Sequence, residues 1–271
     1  MPSYVETAAG IAAAAGSLLR YFFERRVRFE LKGDHDLVTE ADRASEKLVV
    51  EQLREHFPTH AIVAEEGGGV DTGSEYRWYV DPLDGTTNFA HGYPSWNVTM
   101  ALEKSGELIA GVVLDPFRGE LFAAERGAGA FLNGRRMKVS AAQRVSDSLL
   151  CTGFPNHNRK TNANIHYFHE LAMTAHGVRR AGSAGIDLAY VAAGRLDGFW
   201  EFGLSPWDMA AGILLIEEAG GVCTDMAGRP YHLKSPHLLV DNGLIHDELL
   251  SVFGQISRGE VIHPMPAPAA L

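Results

Sequence analysis

Three acidic segments carry the residue types from which this chain could build a reactive site. They are Ala64-Glu65-Glu66-Gly67, then Asp81-Pro82-Leu83-Asp84-Gly85-Thr86-Thr87-Asn88-Phe89, then Trp207-Asp208-Met209-Ala210-Ala211-Gly212. Singly, each has an ordinary structural explanation. Pro-x-Asp-Gly is turn chemistry, a Glu pair before glycines suits a solvated loop, and Asp208 suits the first turn of its own helix. Together they offer hard oxygen ligands. Mg²⁺ takes such ligands in near-octahedral order and keeps several waters, so a few carboxylates with open positions suit it. Asp81 at a strand end and Asp84 three residues on face one pocket if a tight turn, stiffened by Pro82, lies between them. The Leu83 carbonyl is then a further hard ligand, and Gly85 permits close backbone approach. A helix starting near Thr86 would aim its free N–H groups and positive end at a bound phosphate. Two metal ions about 4 Å apart would polarise a phosphoryl group and activate water, with no need of a Ser, Cys or His nucleophile. No Ser or Cys elbow is evident, and the 12 histidines read as surface or loop residues. His91, beside the middle segment, is the one to follow.

The elements that must hold these segments show in the hydrophobic pattern. The apolar run 8–19 begins an amphipathic helix that ends near Arg25 and Arg26. A second helix starts at Thr39, presents Ala41, Ala44, Leu48, Val49 and Leu53, and stops before Pro58. Strand patterns follow at 61–65, 77–81, 97–103, 107–114 and 120–124, with turns at Ser105-Gly106 and Asn133-Gly134. Two helices followed by a run of strands predict an antiparallel sheet covered by helices. From about Ser146 the pattern alternates. Strands at 148–152, 198–201, 221–224 and 237–240 intersperse helices at 162–175, 184–193, 208–219 and 245–253, which predicts a second α/β layer. The expected organisation is an N-terminal half, 1–145, a C-terminal half, 146–260, and a disordered Pro- and Ala-rich tail, 261–271.

Composition excludes more than it assigns. A formal net charge of -10 argues against a surface built to neutralise a nucleic-acid backbone, so no direct nucleic-acid binding is expected. Carboxylates partnered by divalent cations would leave such an excess, and so would simple solubility. The two cysteines, Cys151 and Cys223, lie far apart and outside any ligand spacing. They point away from a disulfide framework and toward a cytoplasmic location. The 8–19 run follows Glu6 rather than a basic segment and is too short to span a bilayer, so no signal peptide or membrane association is expected.

The three acidic segments, in order and spacing, resemble the signature motifs of the inositol monophosphatase family, and the similarity runs from about Ala8 to Pro230. The nine-residue middle segment is the specific part. The stretch Arg180-Ala181-Gly182-Ser183-Ala184-Gly185-Ile186-Asp187-Leu188-Ala189-Tyr190, with Gly198-Phe199-Trp200-Glu201, is most similar to the bacterial branch. The resemblance implies a layered α-β-α-β-α sandwich of the sugar-phosphatase type, mixing α+β and α/β character. It also implies a homodimer and a lithium-sensitive, Mg²⁺-dependent hydrolase of a small phosphorylated substrate. Inositol 1-phosphate comes first; fructose 1,6-bisphosphate, histidinol phosphate and nucleotide 3′-phosphates are substrates of relatives. One bacterial relative associates with the transcription machinery and ribosomal RNA synthesis, which implies a protein partner as a second role.

By position, the resemblance implies that Glu65, Asp81 and the Leu83 carbonyl hold one Mg²⁺ and that Asp81, Asp84 and Asp208 hold a second. A third, weaker ion leans on Glu65 and water. Thr86 with Asp42 would orient and deprotonate the attacking water, so Glu65, Thr86 and Asp42 form the implied catalytic set. Gly85 and Thr86 N–H groups would hold the phosphate, Glu201 a substrate hydroxyl, and Gly182, Ser183 and Ala184 the pocket wall. Lys32 and Asp36 match a loop that assists the weaker metal. Spacing alone makes Asp42 the partner of Thr39 in a helix cap. Glu66 stays outside the ligand set, Trp96 and Trp207 read as packing residues, and Trp200 could pack or face substrate. Gly67-Gly68-Gly69 departs from the family, where a less flexible loop is usual. The aspartyl-phosphate type of phosphatase is disfavoured, because two residues rather than one separate Asp81 from Asp84.

Overall fold

Helix α1 (Tyr4–Arg25) forms on an alanine-rich stripe in which Ala8, Ile11, Ala12, Ala15 and Leu19 are buried at helical spacing. Its start is closed reciprocally, Glu6 N–H donating to Ser3 Oγ and Ser3 N–H to the Glu6 carboxylate. The computed structural model describes residues 3–25, 29–31, 37–154 and 162–265. Lys32, Asp36 and the end of the expected tail, 266–271, lie outside the described residues. Strands β1 (Phe29–Leu31) and β2 (Leu37–Thr39) form an antiparallel pair that leads into α2 (Glu40–His56).

A seven-stranded sheet follows in chain order: β3 (Ala61–Ala64), β4 (Tyr76–Asp84), β5 (Asn97–Lys104), β6 (Glu107–Asp115), β7 (Glu120–Glu125), β8 (Gly129–Leu132) and β9 (Arg135–Arg136). Helix α3 (Thr86–Ala90) interrupts the β4–β5 connection. All pairs are antiparallel except β3 with β4, which run parallel, so the predicted antiparallel sheet needs that one correction. Ser105-Gly106 and Asn133-Gly134 turn as expected, each with two successive left-handed residues. Strands β8 and β9 were not anticipated, being short glycine- or arginine-bearing runs without apolar alternation.

The second sheet is ordered β11-β10-β12-β14-β13, from β10 (Leu149–Thr152), β11 (Gly177–Arg179), β12 (Gly198–Phe202), β13 (Val222–Thr224) and β14 (His237–Asp241). Its helices are α4 (Asn164–Thr174), α5 (Ala184–Ala192), α6 (Pro206–Glu218) and α7 (His246–Ser257). Three apolar cores define the layering. One joins α1 and α2 to the first face of the large sheet, a second sets α5 and α6 between the two sheets, and the third seats α4 and α7 on the outer face of the smaller sheet. The result is the expected α-β-α-β-α sandwich. Helix α6 lies between two sheets, so it buries an unbroken run from Met209 to Ile216 rather than a stripe. Glycines permit that closeness: a Cβ on Gly111 of β6 would meet the Ala211 backbone at 3.1 Å, and one on Gly212 would collide with Leu188.

The inner face of α2 departs from the expected stripe. Val49, Val50 and Leu53 pack inward as a core face should, but the N-terminal turns bury Asp42, Ser45 and Glu46 instead of Ala44 and Leu48. Three polar side chains buried on one helix face require partners. Those partners are two of the acidic segments.

Candidate active site

The middle segment is positioned by a bulge, not by the predicted tight turn. Strand β4 runs through to Asp84, but its pairing slips between Asp81, opposite Thr99, and Asp84, opposite Asn97. Three steps on β4 thus match two on β5. A regular strand would turn residues three apart to opposite faces; one extra residue brings both carboxylates to the same side. Pro82 sits inside the bulge, where its missing N–H costs no ladder bond. Asp81 Oδ1 accepts the Leu83 N–H at 2.9 Å, and the Pro82 carbonyl accepts Ser45 Oγ at 2.8 Å. Gly85 then takes φ +89°, and a Cβ there would press on the Ser95 carbonyl at 2.9 Å. Helix α3 follows with only five residues. What it offers an anion is the N–H groups of its first turn rather than a long-helix dipole.

The pocket at this point holds about 180 Å³ and gathers all three acidic segments. Glu65, Asp81, Leu83, Asp84 and Asp208 line it together with Gly85, Thr86, Gly182, Ser183, Ala184 and Glu201. Asp42 stands behind this wall, almost fully buried, and its Oδ1 accepts the Thr86 hydroxyl at 2.9 Å. The Thr86 hydroxyl also lies 3.1 Å from the Leu83 carbonyl. Tertiary structure thus gives Asp42 a partner that local cap spacing does not. Asp208 combines both readings proposed for it. Its Oδ2 accepts the Ser205 N–H at 2.7 Å in a capping box at the start of α6, while the side chain also faces the pocket.

The electrostatics match the crowding. Burial, then Glu65, Asp84 and Asp208, hold the Asp81 carboxyl well above its ordinary range. Burial, then Asp84 and Glu65, do the same for Asp208. Burial also raises Asp84, against donors on Ser183, Gly185 and Asn97 that favour its charged form. Glu201 is raised by burial and then by Asp208, Asp187 and Asp84. Asp187, which the sequence did not single out although it lies within the 180–190 stretch, also lines the pocket, and burial pushes its carboxyl up to about 8. Arg180 is the one cationic side chain among the described residues of the wall.

This donor set suits a hard divalent cation: carboxylates, a backbone carbonyl, and too little positive charge of their own. Among the described residues no three acidic, His or Cys side chains close into a metal cage. They fit an open site, in which one or two carboxylates, waters and a phosphate share the ion.

Neighbouring residues account for the rest. Glu46 accepts the Glu66 N–H at 2.7 Å and the Gly68 N–H at 2.8 Å, so its carboxylate ties down the triple-glycine loop. Gly69 is needed there, since a Cβ would meet the Ile62 carbonyl at 2.6 Å. The signal for Glu46 and Ser45 was polar residues at helical spacing among apolar ones. Asn88 Nδ2 donates to the Ser95 and Ala181 carbonyls, fastening α3 to the 181–182 loop. Glu66 turns away from the pocket, and Trp96 and Trp207 pack in the cores. Trp200 packs too, its indole N–H donating to Asn164 Oδ1 at 2.6 Å. His91 is exposed and outside the wall. His60 lies in the loop before β3, in keeping with the reading of the histidines as surface or loop residues, but it does not face solvent. It is buried between Phe57 and Tyr76 and accepts the Trp78 indole N–H at 3.1 Å.

Residues 1–258 match the inositol monophosphatase family. The chain belongs to that family. Among its members, the Nus factor SuhB of Pseudomonas aeruginosa is 48% identical over 248 residues, covering 89% of this chain and 92% of the relative. The inositol-1-monophosphatase of Rhizobium meliloti is 46% identical over 246 residues, with 88% and 91% covered. The crystal structure of extragenic suppressor protein suhB from Bartonella henselae superposes with a TM-score of 0.87 at 40% identity, covering 92% of this chain and 97% of that one. This inositol monophosphatase family member thus shares both sequence and layering with relatives over most of its length.

Proposed function

We propose that this chain is a Mg²⁺-dependent phosphatase that hydrolyses a small phosphate monoester, with inositol 1-phosphate as the first choice. The observation that carries the reading is the pocket in which Glu65, Asp81, Leu83, Asp84 and Asp208 meet Thr86 and its partner Asp42. Glu65, Asp81 and the Leu83 carbonyl would hold one ion, Asp81, Asp84 and Asp208 a second, with a weaker third at Glu65. When bound, Mg²⁺ would polarise the phosphoryl oxygens, make water more acidic and stabilise the leaving oxygen. The chain's own residues do the rest. The Thr86 hydroxyl donates to Asp42, which leaves an oxygen lone pair to accept a proton from the attacking water as its own proton moves to Asp42. Gly85 and Thr86 N–H groups orient the phosphate, and the 182–184 loop walls the pocket. Glu201, raised by its surroundings, can donate to a substrate hydroxyl as well as accept from it. In this reading the half 1–145 supplies the main motif and the half 146–260 supplies Asp208 and the substrate wall.

The test is a panel of inositol 1-phosphate, fructose 1,6-bisphosphate, histidinol phosphate and nucleotide 3′-phosphates, compared by kcat/KM with Mg²⁺. Inositol 1-phosphate should lead, and Li⁺ should inhibit. Full activity in excess EDTA would overturn the metal mechanism. A homodimer belongs to the same reading through the family and is checked by light scattering. A cytoplasmic location accords with free thiols at Cys151 and Cys223. Among the described residues no helix is long and apolar enough to cross a membrane.

A relative named Nus factor SuhB supports a second role, as a protein partner in transcription. Pull-down of transcription proteins with unaltered chain and Asp84→Asn separates the two. Binding that survives while hydrolysis is lost makes the roles independent; no capture by either removes this second reading.

A further inference from the structure

We propose that Asn97 is a positioning residue that clamps Asp84, fixing which carboxylate oxygen faces the metal and tying that ligand to the substrate wall. The inference rests on the metal-dependent reading above and adds a residue to it. Asp84 Oδ2 accepts three hydrogen bonds: from Asn97 Nδ2 at 2.6 Å, Ser183 Oγ at 2.8 Å and the Gly185 N–H at 2.8 Å. A carboxylate oxygen with three donors has no further direction to offer a cation, so a metal at Asp84 is left with Oδ1. Asn97 Nδ2 also donates to Ser183 Oγ at 2.8 Å. Its two N–H bonds are thus divided between the carboxylate and the hydroxyl, and the hydroxyl in turn donates a hydrogen bond to the same carboxylate oxygen. The ring has one polarity: both donor routes, direct and through Ser183, end on Asp84 Oδ2.

Position makes the clamp specific. Asn97 is fully buried at the start of β5, opposite Asp84 across the bulge, whereas Ser183 and Gly185 stand at the start of α5. One amide therefore joins the strand carrying the metal ligands to the helix carrying the substrate wall. The fit is close: a Cβ on Gly185 would meet Asn97 Oδ1 at 2.7 Å. That oxygen is buried with no hydrogen-bond partner, so the amide spends one polar group to place the other. A residue kept only for packing would not leave such a group, because an unpartnered buried acceptor is costly. Turning the amide over would put its oxygen against a carboxylate, so the donor orientation is the one that suits an ionised Asp84.

The test measures metal binding directly, by calorimetric titration of metal-free protein with MnCl₂ and with MgCl₂. Partners that orient metal ligands change affinity about 10- to 100-fold when removed. Asn97→Ala should weaken binding by about that factor, and excess metal should restore kcat with KM for substrate little changed. Asn97→Asp keeps the shape while removing both donors and facing one carboxylate with another. It should weaken binding further. Thermal melts check that each variant folds; should Asn97→Ala fail to fold, the near-isosteric Asn97→Asp decides. Binding by a folded variant within twofold of the unaltered protein overturns the clamp. If the unaltered protein itself binds neither ion, the metal-dependent reading has failed.

Discussion

At the scale of single residues, the pocket is a place where folding and function oppose each other. Asp81, Asp84 and Asp208 are held near one another, and burial raises all three against ionisation, with the neighbouring carboxylates adding to it at Asp81 and Asp208. Asp208→Asn removes one charge yet keeps an oxygen that can still accept the Ser205 N–H, so the cap on α6 survives. Turnover should fall by orders of magnitude while the melting temperature of metal-free protein holds or rises, measured by phosphatase assay and thermal denaturation. Unfolding of this variant would show that the cap depends on charge. Asp187 makes a pH prediction. Burial, with Asp84 adding to it, pushes its carboxyl up to about 8, so the folded protein keeps a proton that an unfolded chain releases near pH 4. The folded state then binds more protons between these values, and stability falls as pH rises through them. Urea denaturation of metal-free protein at pH 5 and pH 8 should show a smaller loss for Asp187→Asn than for the unaltered chain. Equal losses would mean that Asp187 is already ionised in the fold.

At the scale of elements, α2 is the organiser of the site. Its first turns use Asp42 on Thr86, Ser45 on the bulge and Glu46 on the glycine loop, while Val49, Val50 and Leu53 anchor the same face in the core. Glu46→Ala removes two hydrogen bonds to a buried carboxylate, a loss on the order of 2–4 kcal/mol. The expected readout is faster amide exchange at Glu66 and Gly68 with a higher Mg²⁺ requirement, since Glu65 sits on the released loop. Unchanged exchange at these amides would mean that the three glycines hold their shape unaided. Helix α7 is fastened differently, by His246 Nδ1 against Asp241 Oδ2 at 2.7 Å. That bond, opposed by burial and helped by the nearby charges of Asp241 and Asp247, raises the histidine. Its stabilisation is therefore full below about pH 6.5 and lost as pH rises through the raised value.

At the scale of the molecule, α5 and α6 belong to both sheets at once, and so does the site. Asp208 reaches the pocket from α6 and Glu201 from β12, whereas the main motif comes from β4. Close packing in the central layer therefore sets the distance between the acidic residues of β4 and α6 and the 182–184 wall of the pocket. Gly212→Val would drive a side chain into Leu188 and force α5 from α6, at a cost of about 3 kcal/mol. The melting temperature should drop by several degrees, and kcat/KM should fall even at temperatures where the variant is folded. A drop in stability with unaltered kcat/KM would show that the wall tolerates the displacement.

What the sequence alone determined was local chemistry and periodicity. The strongly patterned helices and the longer strands were legible, as were the two left-handed turns and the acidic segments. A family resemblance then implied the ligand set and the layering. Periodicity could not reveal β8, β9 or β11, short glycine- or arginine-bearing runs without apolar alternation, or the parallel pairing of β3 with β4, which depends on where a long connection returns. The tight turn expected at Pro82 became a bulge because register belongs to two strands, and β5 is the second. Asn97, Ser45 and Glu46 carry no motif; their roles exist only where β5, α2 and the acidic segments meet. The sequence determined which groups could hold a metal and activate water. Only tertiary structure decided which oxygen of each carboxylate is already taken, because hydrogen-bond partners come from residues distant in the chain.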